Sequence, residues 1–242
     1  MNRKKRLIKI VASSGIFPTR TAAELAIRAG RIFIDGKPLK NPQFQLDDRK
    51  VKITFEGKPV FEPKEKLYFA FNKPAGYTCE KNEEHNVYSF LRRAGVKKEM
   101  ENTLSAVGRL DKETTGLLIF TNDGDFAHRL LKPESGIEKK YRAIIQGKLT
   151  FEELKQLKEG VEIEVGNEMY KTKPARVHVN KEDEKTSDIT LVLKEGKKRQ
   201  IRKMLEAVKH PVSDLKRAKF GKLELGDLRE GQFNQIRKED IV

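Results

Sequence analysis

The chain has 242 residues, with 51 Lys+Arg against 36 Asp+Glu for a formal net charge of +15, a single cysteine and no tryptophan. That length suits two domains better than one or three, and a positive excess of this size points to a polyanionic partner, with nucleic acid the default. Cys79 alone excludes an intrachain disulfide and a zinc site built on cysteines, and His85, His128, His178 and His210 are too far apart to form a ligand pair at helical spacing.

The N-terminus Arg3-Lys4-Lys5-Arg6 followed by Leu7-Ile8 mimics a signal peptide, but Lys9 interrupts the apolar run at once. Arg6 to Ser14 carries apolar residues at helical spacing. Thr21-Ala22-Ala23-Glu24 reads as a capping box opening a helix from about Ala22 to Ala29, which Gly30 ends. A short strand is expected over Arg31 to Ile34, a tight turn at Asp35-Gly36, and a second strand over Val51 to Phe55. Pro59 and Pro63 bracket a linker, placing a first domain at 1–62, with the linker running to about 66, and a second at 63–242.

In the second domain strands are expected at Leu67 to Phe71, Gly116 to Thr121, Lys140 to Ile145, Ala175 to Val179 and Ile189 to Leu193. Helices are expected at Val87 to Ala94, Phe126 to Leu131, Phe151 to Lys158 and Gln200 to Val208. Thr150 to Glu153 is another capping box, with Gly160 as the C-cap. Lys181 to Lys185 reads as a solvated charged loop. Strands and helices mix without strict alternation, which argues for an α+β chain with a largely antiparallel mixed sheet flanked by helices. The longest apolar runs, such as Gly116 to Phe120, are far too short to span a bilayer. A cytoplasmic protein without a membrane partner is expected.

The charge is patchy. Residues 1–62 hold 14 Lys+Arg and 6 Asp+Glu, and residues 194–219 hold 10 and 3. In the first patch Arg20, Arg28 and Arg31 surround the second helix, with Lys37 on the following hairpin. They fit either phosphate contacts, which position RNA without reading its sequence, or a solvated helix face. Arg6 to Lys9, Ser14-Gly15, Arg20, Ala23-Glu24, Ile27, Gly30-Arg31 and Ile34 to Lys37 resemble the S4 RNA-binding domain over roughly residues 6 to 55. The resemblance implies that Arg20, Arg28 and Arg31 contact RNA. Pro18-Thr19-Arg20-Thr21 departs from the usual pattern by lacking one cation, so Arg20 carries that contact alone.

Residues 108–124 read Gly-Arg-Leu-Asp-Lys-Glu-Thr-Thr-Gly-Leu-Leu-Ile-Phe-Thr-Asn-Asp-Gly. Asp111 lies in a loop between an apolar approach and a strand. An Asp there is commonly a turn or capping residue. Arg109 and Lys112 also favour its ionised form, and a carboxylate can serve as a nucleophile.

The whole segment closely resembles the signature of the RsuA-type (RsuA/RluB/RluE/RluF) RNA pseudouridine synthases. Lys73-Pro74-Ala75-Gly76-Tyr77, Lys140-Tyr141, Glu195 through Met204, and Leu215-Lys216-Arg217 with Gly221 resemble further motifs of that family, in order. The resemblance covers almost all of residues 67–237, and an S4 unit in front matches the family's architecture. It implies isomerisation of a uridine in RNA, in which the N1–C1′ bond breaks, the base turns and C5 joins C1′, with no cofactor and no metal.

It also implies site roles. Asp111 is the nucleophile, although attack at C1′ is not distinguished from another route. Tyr141 stacks on the base and is placed to accept the C5 proton; a core tyrosine on a strand is the structural alternative. Arg202 is the ion-pair partner of Asp111. It lies at the edge of the stripe formed by Ile201, Met204, Leu205 and Val208, where a snorkelling surface arginine is the alternative. Arg109 fills the space left by the flipped base or holds the displaced backbone. Lys140, Lys198, Arg199 and Arg217 bind RNA around the pocket.

The expected partner is structured RNA, as rRNA or a pre-ribosomal particle, acted on by a monomer. The segment from His210-Pro211-Val212 to Gly226-Asp227-Leu228 looks more like the large-subunit group than the small-subunit group. Two competing readings are an S4-containing assembly factor with an inactive synthase domain and a metal-dependent nuclease. The intact Asp111, Tyr141 and Arg202 speak against the first, and the lack of a carboxylate or histidine cluster against the second.

Overall fold

The structure is a computed structural model describing residues 4–242. Arg3, the first residue of the basic N-terminal run, lies outside them. The chain divides into two compact units. The first comprises Met1–Leu67 with Tyr88–Ser105 and Thr121–Asp123, and the second comprises Tyr68–Val87, Ala106–Phe120 and Gly124–Val242.

In the first unit β1 (Lys5–Arg6) leads into α1 (Leu7–Ser13), whose Leu7, Ile8, Ile10 and Val11 are fully buried. Helix α2 (Arg20–Arg28) starts earlier than its sequence suggested. Its cap is Thr19, whose hydroxyl accepts from Ala22 N–H at 3.1 Å, so the Thr21–Glu24 capping box does not form. Glu24 instead pairs with Arg28 one turn on.

Strands β2 (Ile32–Ile34), β3 (Lys37–Pro38), β5 (Ile53–Phe55) and β6 (Lys58–Pro59) form a sheet in the order β3-β2-β5-β6, while β4 (Gln45–Leu46) pairs with β1. Asp35 and Gly36 both take positive φ, 48° and 81°, the tight hairpin turn their sequence signals. Pro59 is not linker: it sits on the sheet edge, where a proline removes no needed donor. Two short helices, α3 (Tyr88–Arg93) and α4 (Lys98–Thr103), belong to the same unit. Asn102 on α4 donates to the Gly15 carbonyl at 2.9 Å.

Among the described residues, the second unit is built on a nine-stranded sheet. Its strands are β7 (Tyr68–Lys73), β8 (Ser105–Val107), β9 (Thr115–Thr121), β10 (Lys139–Gln146), β13 (Arg176–Glu182), β14 (Thr186–Leu193), β15 (Val212–Phe220), β16 (Leu223–Glu224) and β17 (Phe233–Gln235). The order is β13-β14-β10-β15-β9-β7-β17, with β8 on β9 and β16 on β15. Pairing is antiparallel in the β13–β14–β10–β15 stretch and parallel between β15 and β9. A separate hairpin of β11 (Glu162–Val165) and β12 (Glu168–Lys171) is an element the sequence reading missed. Lys181 and Glu182, expected in a loop, close β13.

Two cores support this sheet. Helix α6 (Phe151–Glu159), helix α7 (Gln200–Ala207) and the β11–β12 hairpin pack Leu157, Ile163, Ile201, Met204 and Leu205 against Ala143, Ile145, Ile189 and Leu191. The Thr150–Glu153 capping box on α6 forms as expected. Helix α5 (Gly124–Leu131) packs Phe126 and Leu130 with Tyr68, Leu117, Ile119 and Phe220.

The parallel β9–β15 contact brings the two cores together. Arg217 on β15 lies opposite Gly116 on β9. Gly116 has φ +98°, and a Cβ there would stand 2.4 Å from the Arg217 carbonyl oxygen. Gly116→Ala is therefore expected to cost roughly 2–3 kcal/mol, combining backbone strain with overpacking. That corresponds to a fall in Tm of about 2–4 °C per kcal/mol, read by thermal unfolding.

Candidate active site

The segment from Gly108 to Thr114 joins β8 to β9 and has no regular structure of its own. A loop needs partners for its buried carbonyls, and here side chains supply them. Arg217, 1 % exposed, donates from Nη2 to the Gly108 carbonyl at 3.2 Å and from Nε to the Leu117 carbonyl at 2.7 Å. Lys73 at the end of β7 is fully buried. Its Nζ donates to the carbonyls of Pro74, Lys112 and Thr114 at 3.0, 3.0 and 2.8 Å. The Cys79 thiol approaches the Leu110 carbonyl at 3.6 Å. Gly76 N–H donates to Lys112 at 2.9 Å, and Thr114 N–H donates to Asp111 at 3.1 Å.

The loop is thus anchored through backbone oxygens, and the half-buried Asp111 side chain is left to line a cleft of about 370 Å³. Burial pulls the Lys73 ammonium down to about 8. Burial likewise pushes the Cys79 thiol up, so it acts as a packed, protonated group.

The cleft's opposite wall is β10. Side chains alternate along a strand, so Lys139, Tyr141 and Ala143 share one face while Lys140 and Arg142 share the other. Tyr141 and Lys139 line the cleft. Tyr141 pairs in register with Arg217, next to an irregularity in the β10–β15 ladder between Lys140 and Tyr141. Lys139 is nearly buried, with Nζ 5.6 Å from the Phe220 ring centre. Its burial, then the nearby Arg217 charge, holds its ammonium below the usual lysine range.

The third wall is the segment from Lys194 to Gln200, which leads into α7 and includes its first residue. Lys198 is exposed at its crest. Arg199 caps α7 with positive φ (55°) and forms an ion pair with Glu113 at 3.3 Å. The Glu113 carboxyl is held below the usual range by a backbone hydrogen bond, with help from Arg199 and Arg202.

Several sequence expectations change here. Arg217 does not grip phosphate from the rim: it is inside the fold and committed to two carbonyls. Lys140 points away from the cleft, and Lys139 occupies the position facing Tyr141's neighbours. The Asp111–Arg202 ion pair is not formed among the described residues; Arg202 Nη1 donates to the Val212 carbonyl at 3.2 Å, and its buried Nε has no partner. Arg109 is exposed at the cleft mouth and paired with Glu80 at 2.6 Å. In the first unit Arg28 pairs with Glu24 and Arg31 with Glu56, while Arg20 is exposed without an ion pair among the described residues.

Lys73, Lys139, Tyr170, Glu195 and Gln200 were not singled out. Period-two spacing from Tyr141 could have found Lys139. Tyr170 comes from the unrecognised hairpin and gave no local signal.

Similarity to known proteins identifies the family. Residues 67–207 match the family model for RNA pseudouridylate synthase, and residues 5–50 match the S4 domain. The chain is 33% identical over 242 residues to ribosomal large subunit pseudouridine synthase B of Bacillus subtilis (strain 168), covering 98% of this chain and 94% of that one. It is 31% identical over 240 residues to ribosomal small subunit pseudouridine synthase A of Escherichia coli (strain K12), covering 98% of each. A crystal structure described as a pseudouridylate synthase superposes with a TM-score of 0.68 at 30% identity, covering 98% of this chain and 97% of that one. An S4 domain joined to this catalytic fold defines a class of RNA-modifying enzyme. The chain belongs to the RsuA-type RNA pseudouridine synthases and isomerises uridine in RNA. Among the described residues no helix is long and apolar enough to cross a membrane, and no group of three or more His, Cys, Asp or Glu is placed to hold a metal.

Lys73 gives the site a pH signature. Its folded value of about 8 lies below the ordinary lysine value of 10.5. Between these values the unfolded chain binds the proton more tightly, so this group's contribution to stability rises with pH from about 8 upward. Lys73→Met also strands the loop carbonyls, at a cost of about 1–3 kcal/mol each where they stay buried. Urea unfolding of wild type and Lys73→Met is expected to show a wild-type advantage at pH 7 that widens by pH 10.

Proposed function

We propose that the substrate is rRNA, with the large subunit favoured, and that Asp111 is the nucleophile acting on the target uridine. The observation carrying this reading is the Asp111 carboxylate, presented to a cleft from a loop whose backbone is anchored by Lys73 and Arg217. Such anchoring fixes a reacting group without reorganisation at the moment of reaction, which is how positioned groups lower barriers.

A uridine must leave its stack to reach this cleft. Tyr141 offers a ring to its base and a phenolic oxygen for the C5 proton. The N1–C1′ bond breaks, the base turns within the cleft, C5 bonds to C1′, and N1 takes up a proton as C5 loses one. Every atom of the uracil is retained, so no donor or oxidant enters the balance. Arg109, exchanging Glu80 for RNA, takes the place of the flipped nucleotide. Arg202, whose charge reaches Glu113 in the same loop, adds to the positive field around the Asp111 carboxylate. Lys198 and Arg199 contact phosphates at the rim, and Arg20 does so on the S4 domain. Support for the large subunit comes from the segment His210 to Leu228 and its likeness to large-subunit enzymes.

Pseudouridine mapping of rRNA from cells lacking this protein tests the reading. One site, or a few neighbours, in large-subunit rRNA is expected to revert to uridine. Wild type restores it, and Asp111→Asn lowers the purified enzyme's conversion rate by about a thousandfold or more. Restoration by Asp111→Asn would remove the nucleophile assignment.

A further inference from the structure

Glu195 is an acidic residue in the wall of a cleft built for a polyanion, and it is nearly buried. A carboxylate there is costly unless it is fully bonded, and this one takes three hydrogen bonds, two from segment 170–173 and one from the start of α7. Tyr170 on β12 donates its hydroxyl to Oε2 at 2.6 Å. Lys173 donates its backbone N–H to Oε1 at 2.9 Å, and Gln200, the first residue of α7, donates Nε2 to the same oxygen.

The Gln200 bond sets the geometry of the cationic segment. A carboxylate only accepts, so Gln200 must turn its NH₂ toward Glu195 and its Oε1 away. That Oε1 accepts from Lys197 N–H at 2.9 Å, and Gln200 N–H returns to the Lys197 carbonyl at 3.1 Å. The turn Lys197-Lys198-Arg199-Gln200 is closed at both ends. Its crest holds Lys198 and Arg199, with Arg199 in a left-handed conformation that costs a non-glycine residue energy and persists only where the surroundings enforce it. Lys197 lies with Nζ 4.5 Å from the centre of the Tyr170 ring, whose hydroxyl Glu195 fixes.

We propose that Glu195 is a positioning residue. By orienting Gln200 and Tyr170 it holds segment 196–199 as a preformed seat for the phosphodiester backbone beside the target nucleotide, with Lys197 leaving the Tyr170 ring for a phosphate. This rests on the reading of the cleft as the uridine site. The negative charge serves the binding of an anion indirectly: it is screened by its own three donors and spends itself on shaping the cations. Neither Glu195 nor Tyr170 touches the reacting atoms, so the effect falls on binding more than on the chemical step.

Glu195→Met removes both acceptor oxygens: Tyr170 and Lys173 lose their partner, and Gln200, no longer held with its NH₂ toward position 195, is free to flip and release Lys197 N–H. Removing a negative charge from the cleft wall would by itself tighten the grip on a polyanion, so weaker binding reports the lost shape. The probe is rRNA purified from cells lacking the protein. Binding is measured across a salt series, and conversion by single turnover at saturating enzyme, with thermal unfolding alongside. Glu195→Met is expected to weaken binding about tenfold and to flatten the dependence of log K on log salt by about one phosphate contact or more. Its saturated rate falls by less than about threefold. Tyr170→Phe, which removes one of the three bonds and keeps the fold available if Glu195→Met does not fold, is expected to weaken binding by about two- to fourfold in the same direction. Wild-type affinity and salt slope in Tyr170→Phe, or in a folded Glu195→Met, would overturn the proposal, as would a loss confined to the saturated rate. If wild type itself converts no uridine in this RNA, the proposed function fails, while the binding and salt measurements still judge the seat.

Discussion

A loop that must hold a carboxylate still cannot rely on its own backbone, because it has no ladder or helix to join. In this enzyme the constraint is met by two buried cations. Arg217 reaches Gly108 from β15, and Lys73 reaches Lys112 and Thr114 from β7, so the start and the end of the loop are fixed from different strands. The donors suit their places. The rigid guanidinium fork serves one carbonyl at the start of the loop and one on β9, and the three-proton ammonium serves three carbonyls converging on one point. Charged donors give stronger hydrogen bonds than neutral ones, and removing either leaves buried oxygens unsatisfied. The close β9–β15 approach at Gly116 and the exposure of Asp111 to the cleft both depend on this arrangement.

The same view changes the meaning of the net charge. Part of the +15 works inside the protein: Lys73, Lys139 and Arg217 are buried. Another part is matched locally, as at Arg28–Glu24, Arg31–Glu56, Arg142–Asp188 and Arg176–Glu138. These exposed pairs add little stability, and they thin the patches that charge counting assigns to RNA. The cations left facing outward around the cleft are held by shape, through the turn at Lys197 to Gln200 and the Glu195 network beneath it.

What the sequence disclosed follows the range of the interactions involved. Helices α1, α5, α6 and α7 and strands β9, β10 and β14 were legible because their periodicity is local. The signature around Asp111 gave the family and the loop. The start of α2 was misread because Thr19 and Thr21 are both competent caps, and packing of the helix decided between them. The β11–β12 hairpin was passed over although Gly166 has positive φ, because its strands are only four residues long and mostly exposed. Roles that depend on distant partners were the least readable. A basic residue in a basic motif looks alike whether it meets RNA or a carbonyl, and only the register of β15 against β9 shows that Arg217 does the latter. The same limit applied to Lys73, quoted within a motif yet defined by contacts some 40 residues away.

Amide hydrogen exchange tests the anchored loop most directly. Gly76 and Thr114 donate their N–H groups to loop carbonyls, and β10 and β14 amides serve as an internal reference. In wild type Gly76 and Thr114 are expected to exchange slowly. In Lys73→Met both should exchange at least about tenfold faster through local opening, while the reference amides change only by the global loss of stability. Equal protection of Gly76 and Thr114 in the two proteins, after correction for that global loss, would contradict the account.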